Sequence, residues 1–304
     1  MGILQITLFG CVGVNHSDWK TAVVLTREIQ ALLAFLLIQR HRVHSREVLA
    51  DIFWGEHSQG RARASLNTAL WKLKKALEPQ GTPAGTYLIN NHPGEVGFNR
   101  ESPYWLDVEV FENEINQLLA YPSQMANASH VQEIEKTLSL YKGELLEGCY
   151  KDWVLPERER LRALYIQALI YLLQYHKSHA EYEKAAFCGK QILNLDPLRE
   201  EIHREMMRLY SESGQRALAV RQYGICRMTL AKELNISPME ETHALFTQII
   251  AEADSRRSPA ASQLRSRFDQ AIEEIREASM TIKYANEQMQ NALQSLAKYS
   301  EHPD

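Results

Sequence analysis

The sequence predicts a mainly α-helical protein with three parts: an N-terminal domain joining helices to small antiparallel sheets, an all-helical middle domain, and a long C-terminal helix. Three observations carry this prediction. Leu66, Leu70, Leu73 and Leu77 recur at steps of four, three and four, which stacks them on one face of a helix whose other face is basic. Apolar residues at helical spacing continue through residues 105–252. From Phe268 to Leu296 a large residue returns at every seventh position.

At 304 residues the chain is long enough for two or more cored domains. Its 45% hydrophobic and 24% charged content is that of an ordinary globular protein. The net charge of -4 is unevenly spread. Residues 1–100 carry 11 Lys/Arg against 7 Asp/Glu, and the remainder 23 against 31. The basic excess therefore lies in the part that contains the leucine-striped helix. The N-terminus lacks the basic and apolar regions of a signal peptide, and no apolar run reaches the ~18 residues of a membrane span. Cys11, Cys149, Cys188 and Cys226 are widely separated, which suits reduced core thiols. These features predict a cytoplasmic protein with no membrane association.

Taken in order, Ile3–Phe9 alternates as a strand, and Val12–Val14 and Ala22–Leu25 are further short strand candidates, with turns at Gly10 and Asn15–Asp18. Thr26 is placed to cap a helix from Arg27 to about Gln39 with Ile29, Leu32, Leu33, Leu36 and Leu37 inward. Ser45 is placed to cap a second helix from Arg46 to about Trp54, burying Val48, Leu49, Ile52 and Phe53. Gly55–Gly60 is a polar loop, and the leucine-striped helix Arg61–Leu77 comes next. Thr86–Asn90 and Glu95–Asn99 read as two short strands around the turn Asn91-His-Pro-Gly.

Sheet, three helices and hairpin in that order are the layout of a winged helix-turn-helix, whose third helix enters the major groove of DNA. At about 100° per residue, Arg61, Ala64, Thr68, Trp71, Lys72 and Lys75 point away from the leucines, with Ser65, Asn67 and Lys74 on the flanks. The segment 61–78 has five Lys/Arg and one acid, Glu78. A solvated surface helix interleaves both signs of charge; this one joins cations to short polar side chains, as phosphate clamping and base reading require. Arg63, Lys72, Lys74 and Lys75 are the expected phosphate anchors, and Arg61, Ser65, Asn67 and Thr68 the expected base readers. Trp71 is expected to pack on sugar-phosphate or on the hairpin, whose Asn90, Asn91 and His92 would touch the backbone.

Three strings in this region resemble OmpR-type winged domains: Leu25-Thr-Arg-Glu-Ile-Gln-Ala-Leu-Leu-Ala-Phe-Leu-Leu, Ser45-Arg-Glu-Val-Leu-Ala-Asp-Ile-Phe-Trp, and Arg61 to Leu77 itself. A receiver domain is not expected ahead of them. Instead Trp105-Leu-Asp-Val-Glu-Val-Phe-Glu, and later Tyr141-Lys-Gly-Glu-Leu-Leu-Glu-Gly-Cys-Tyr-Lys-Asp-Trp, resemble the bacterial transcriptional activator domain of the SARP (Streptomyces antibiotic regulatory protein) family. The resemblance covers roughly residues 1–250. It implies a regulator, an activator by expectation, that binds double-stranded promoter DNA and helps recruit RNA polymerase. It also implies a helical domain that promotes dimerisation. The loop at Gly55–Gly60 falls where OmpR-type proteins contact polymerase, which makes Glu56 and His57 candidate partner residues.

In the middle domain, Pro156 is placed to open a long helix through Ser178, and Asn194-Leu-Asp-Pro closes the next one. A weak self-similarity at an offset of 35 aligns Tyr175 with Tyr210, Ala185 with Val220 and Cys188 with Tyr223, as in tetratricopeptide-like helix pairs. The expected domains are thus 1–100, 101–253, a linker at 254–262, and a helix at 263–300. In that last helix Phe268, Ile275, Ile282, Met289 and Leu296 occupy one heptad position, and Ala271, Ala278, Ala285 and Ala292 fall three residues later. The seam is narrow and suits a self-associating coiled coil, giving a homodimer or higher oligomer.

Motifs for nucleotide hydrolysis, acyl transfer or zinc proteolysis do not occur, and no cofactor is expected. His41-x-x-His44 and His176-x-x-His179 have no Cys or acid neighbours at ligand spacing and read as surface histidines. Asp152, Glu157 and Glu159 are interleaved with Arg158 and Arg160 and read as a solvated charge run. The prediction is a non-enzymatic, sequence-specific transcriptional regulator. Its rival is an adaptor built on the helical domain and coiled coil, with a degenerate or ligand-gated winged domain.

Overall fold

Leu4, Ile6 and Leu8 are fully buried and Gln5 is exposed, so the N-terminal alternation folds as strand β1 (Leu4–Thr7). The structure is a computed structural model that describes residues 2–18, 23–79, 81–89 and 94–254, with Gln270 and Ile272 beyond them. Gly10, at φ 75°, turns the chain toward β2 (Gly13–His16), which pairs antiparallel with β1, Ile6 opposite Val14. The strand runs through Asn15 and His16, where a turn was expected, because Asn15 lies on the solvent face. Val23–Leu25, expected as a strand, is not one, although Val23 N–H donates to Val14 O at 3.2 Å. A strand not foreseen, β6 (Tyr104–Leu106), pairs parallel with the other edge of β1. The first sheet is therefore mixed, in the order β2-β1-β6, rather than antiparallel throughout.

Two compact units make up the chain, Met1–Leu195 and Asp196–Asp304. In the first, α1 (Arg27–Ile38) buries its predicted stripe together with Ala31, Ala34 and Phe35. Ser45 caps α2 (Arg46–Trp54), accepting from Glu47 N–H at 3.2 Å. Val48, expected in the core, is 52% exposed: Leu49 and Phe53, with Ala50 and Trp54, face inward and leave Val48 outside that arc. The third helix, α3 (Gln59–Leu77), starts two residues earlier than expected, with Ser58 at its N-cap. It packs on α1 and α2. Strands β3 (His44–Ser45), β4 (Leu88–Ile89) and β5 (Glu95–Phe98) form a second, antiparallel sheet in the order β3-β5-β4.

The helical part of this unit comprises α4 (Asp107–Leu119), α5 (Ala128–Leu138), α6 (Val154–Ser178) and α7 (Tyr182–Leu195). Two charged side chains hold it to the N-terminal sheet. Asp107, 2% exposed, accepts from the N–H groups of Leu8, Phe9 and its own neighbour Val108 at 2.8–3.0 Å. Arg158 donates to the carbonyls of Leu145, Leu146 and Cys149 at 3.0–3.1 Å, fixing the segment whose Leu146 N–H reaches back to Leu8 O. Arg160 pairs with Glu112 and Glu157. In the run at 152–160, Asp152, Glu159 and Arg160 are exposed, as a solvated charge run would be, and Arg158 departs from it by turning onto backbone carbonyls.

The second unit contains α8 (Glu200–Glu212), α9 (Arg216–Leu234) and α10 (Glu240–Asp254). Glu200 accepts from Met239 N–H at 2.7 Å and from the Thr242 hydroxyl at 2.5 Å, and so fixes the start of α10. The turn joining α8 and α9 repeats the one joining α6 and α7. Ala180 and Gly214 both have positive φ, and the next N–H closes on His176 O in one and Tyr210 O in the other, at 2.8 and 2.7 Å. The offset is 34, the period of tetratricopeptide pairs, rather than the expected 35. Ala185 is then matched by Ala219, both fully buried, and not by Val220.

His44 and His176 are buried, contrary to the surface reading, and Cys11 is exposed rather than in the core. Among the described residues no helix is long and apolar enough to cross a membrane, and no cluster of three or more metal-ligating side chains occurs. His203 in α8 is 2% exposed, with Nε2 3.0 Å from Pro197 O and Nδ1 2.7 Å from Gln222 Nε2. The neutral ring satisfies both, donating to the carbonyl and accepting from the amide; a second ring proton would oppose the amide donor. Burial lowers this pKa from 6.5, so the unfolded chain takes up the proton first as pH falls. The stability His203 contributes is expected to be present above pH 6.5 and lost below it. Hydrogen exchange of α8 and α9 at pH 7 and pH 5 measures this, and unchanged protection at the lower pH would refute it.

Candidate nucleic-acid interface

The leucines of α3 set its orientation. Leu66, Leu70, Leu73 and Leu77 are buried, with Ala62 and Ala69. The arc opposite them, centred on Ala64, Thr68, Trp71 and Lys75, is exposed. Arg61, Arg63, Asn67 and Lys72 are exposed beside it, and Ser65 and Lys74 are half-buried at its edges. Every outward residue expected from the leucine pattern therefore lies off the core, and the turns of α3 between Arg61 and Leu77 hold no acid.

Several of these side chains already have protein partners. Thr68 donates its hydroxyl to Ala64 O at 2.9 Å, as threonines inside helices do, which leaves the oxygen lone pairs outward. Arg61 Nε donates to Ser58 Oγ at 3.1 Å across the start of the helix. Arg63, expected to anchor phosphate, is held by Glu47 of α2 at 2.5 Å. Both groups are largely exposed, so the pair contributes at most about 1 kcal/mol and yields readily to a competing anion. Trp71 belongs to the outward surface: it is 61% exposed, and Lys75 Nζ lies 5.1 Å from its ring centroid.

Two residues that were not among the predicted site residues support the face. Glu78, the lone acid of the segment, sits just past α3 and turns back onto the hairpin, where its carboxylate accepts from Gly85, Tyr87 and Leu88 N–H at 2.9–3.1 Å. It fixes the hairpin against the basic helix. Arg46 opens α2, and its Nη1 donates to Asn67 Oδ1 at 3.1 Å. A cation in the first turn opposes the helix dipole, and that mismatch was the available signal that a specific partner holds it there. Arg46 and Asn67 together line two adjoining grooves, one toward Arg63, Gly94 and Glu95, the other toward Trp71, Lys74 and Leu88.

Glu56 and His57 are exposed in the short turn between α2 and α3, with His57 N–H on Trp54 O at 2.9 Å. The hairpin tip residues Asn90, Asn91 and His92 lie outside the described residues. So do the heptad residues Phe268, Ala271, Ile275, Ala278, Ile282, Ala285, Met289, Ala292 and Leu296.

Comparison with known proteins adds four findings. The profile of the bacterial transcriptional activator domain matches residues 106–250. The regulatory protein AfsR of Streptomyces coelicolor is 26% identical over 263 residues, which are 84% of this chain and 25% of AfsR. The transcriptional regulatory protein MoaR1 of Mycobacterium tuberculosis is 22% identical over 262 residues, 82% of this chain and 80% of MoaR1. This chain thus spans about a quarter of the length of AfsR and most of that of MoaR1. Among solved structures, that of Mycobacterium tuberculosis EmbR with a low-affinity phosphopeptide superposes with a TM-score of 0.69 at 21% identity, covering 83% of this chain and 66% of that one. At that identity the likeness speaks for the fold.

Proposed function

The chain belongs to the SARP-like transcriptional regulators, with a bacterial transcriptional activator domain at residues 106–250, and from that premise we propose that it binds promoter DNA in a sequence-specific manner through α3 and activates transcription by recruiting RNA polymerase. One observation carries the DNA-binding reading: α3 turns four leucines inward and presents cations and short polar groups, without an acid, on the face opposite. A helix so divided lies in the major groove with Lys72, Lys74 and Lys75 along the phosphates and Thr68 and Asn67 toward base edges. The three-helix unit with its hairpin is then a winged helix-turn-helix. Glu56 and His57 form the polymerase-facing turn, and the heptads of 268–296 pair two copies on DNA. The protein acts in the cytoplasm and carries out no catalysis of its own.

Titration of promoter fragments across salt concentrations tests this. Lys72→Ala with Lys75→Ala is expected to weaken binding to all sequences alike and to reduce the slope of log affinity against log salt by about 2. Failure of the wild-type chain to bind any genomic fragment would overturn the reading and favour the adaptor.

A further inference from the structure

Arg46 has five N–H donors and no acceptor, and that chemistry constrains Asn67 beside it. Because Arg46 Nη1 donates to the Asn67 carboxamide at 3.1 Å, the oxygen must face Arg46 and the amide nitrogen must face away. The opposite orientation would set N–H against N–H. An asparagine that is free to turn reads adenine, giving one donor to N7 and one acceptor to the N6 amine. Asn67 held in this way turns its NH2 outward beside a guanidinium.

We propose that Arg46 and Asn67 form a single reading unit, all donors, that selects guanine at the base pair beneath Asn67. Guanine alone offers two adjacent acceptors, N7 and O6, on its major-groove edge; adenine and cytosine would present an amine to an amine. Arg46 belongs to α2 rather than α3, so the specificity of the recognition helix at this position is set by the helix before it. Asn67 is the residue that touches the base; Arg46 acts through it, as a positioning residue, and supplies positive charge at the same edge. The inference rests on the reading that α3 enters the major groove.

The test uses the full chain and duplexes with a randomised core. Wild-type selection is expected to return a guanine at one position of each half-site. Replacing that guanine by 7-deazaguanine, which lacks the N7 acceptor, should weaken binding about tenfold or more. In Arg46→Met the carboxamide is released, and the same position should shift from guanine toward adenine while the others keep their preferences. Arg46→Lys, which retains a donor, should restore guanine. Unchanged preference at every position in Arg46→Met and Asn67→Ala would overturn the inference while leaving DNA binding intact, as would insensitivity of the wild type to every 7-deazaguanine. Selection of no sequence by the wild type would overturn the groove reading, and this inference with it. The 7-deazaguanine series needs no variant, so it decides the matter even if a substitution unfolds the protein.

Discussion

Asp107→Ala is expected to lower the unfolding free energy of residues 1–195 by about 3–5 kcal/mol. The carboxylate is 2% exposed and accepts from three backbone N–H groups, two of them at the end of β1 and one at the start of α4. Alanine leaves all three buried without an acceptor, each at a penalty of about 1–3 kcal/mol, and they are close enough not to add fully. The isosteric change Asp107→Asn is expected to fare little better, because it keeps one oxygen but brings an NH2 against the remaining N–H donors. The measurement is direct, because Trp19, Trp54, Trp71, Trp105 and Trp153 all lie within residues 1–195, so indole emission in a urea titration reports on that unit alone. A loss below about 1 kcal/mol in both variants would show that water satisfies these groups, and that the carboxylate does not join sheet to helix.

What could be read in the sequence differs from what could not by the range of the interaction involved. The leucines of α3, the cap at Ser45 and the hairpin depend on neighbours within a few residues, and the chain forms them where their local pattern predicts. Strand β6 has no such pattern: Tyr104–Leu106 becomes a strand because β1, about a hundred residues earlier, offers it a parallel edge. Val48 is apolar enough for the core, yet the rotation of α2 is set by what Leu49 and Phe53 pack against. The helical repeat was visible but misplaced by one residue. Side-chain similarity had to find it, whereas its sharpest marker is a backbone feature, the left-handed residue at Ala180 and Gly214.

The same distinction applies to the candidate interface. Helical periodicity identified the outward residues of α3, since a 3.6-residue period is enough to say which side chains leave the core. It could not identify their partners. Glu78 reads as an isolated acid until the hairpin folds back onto it, and Arg46 reads as an ordinary surface cation until α2 is laid beside α3. Arg63 is a third case: its charge suggested a phosphate anchor, and the fold adds Glu47 as a partner that the local pattern does not reveal. Charge pattern locates such a face, and tertiary pairing decides which of its members already have protein partners.

Phe35→Ala is expected to cost about 3–5 kcal/mol and to disturb DNA recognition as well as stability. Phe35 is buried in α1 and meets three rings: His44 at 5.0 Å, Phe53 at 5.7 Å and Trp153 at 5.1 Å, the last two edge-on. These rings belong to β3, to α2 and to the residue that caps α6, so one side chain joins the basic helix's supports to the activator domain. Alanine opens a cavity among all three. Phe35→Leu refills most of it and is expected to cost about 1–1.5 kcal/mol. His44 directly precedes Ser45 and Arg46, so slack at Phe35 passes to the cap of α2 and from there to the Arg46–Asn67 bond. At a temperature where Phe35→Ala remains folded, affinity for a selected duplex should therefore fall more than affinity for random DNA, which the proposed phosphate contacts of the α3 lysines would supply. Equal losses on both duplexes would mean that the aromatic cluster supports the fold without orienting the reading face. A selective loss would show that the activator domain, through Trp153, has a mechanical connection to the residues proposed to face the bases.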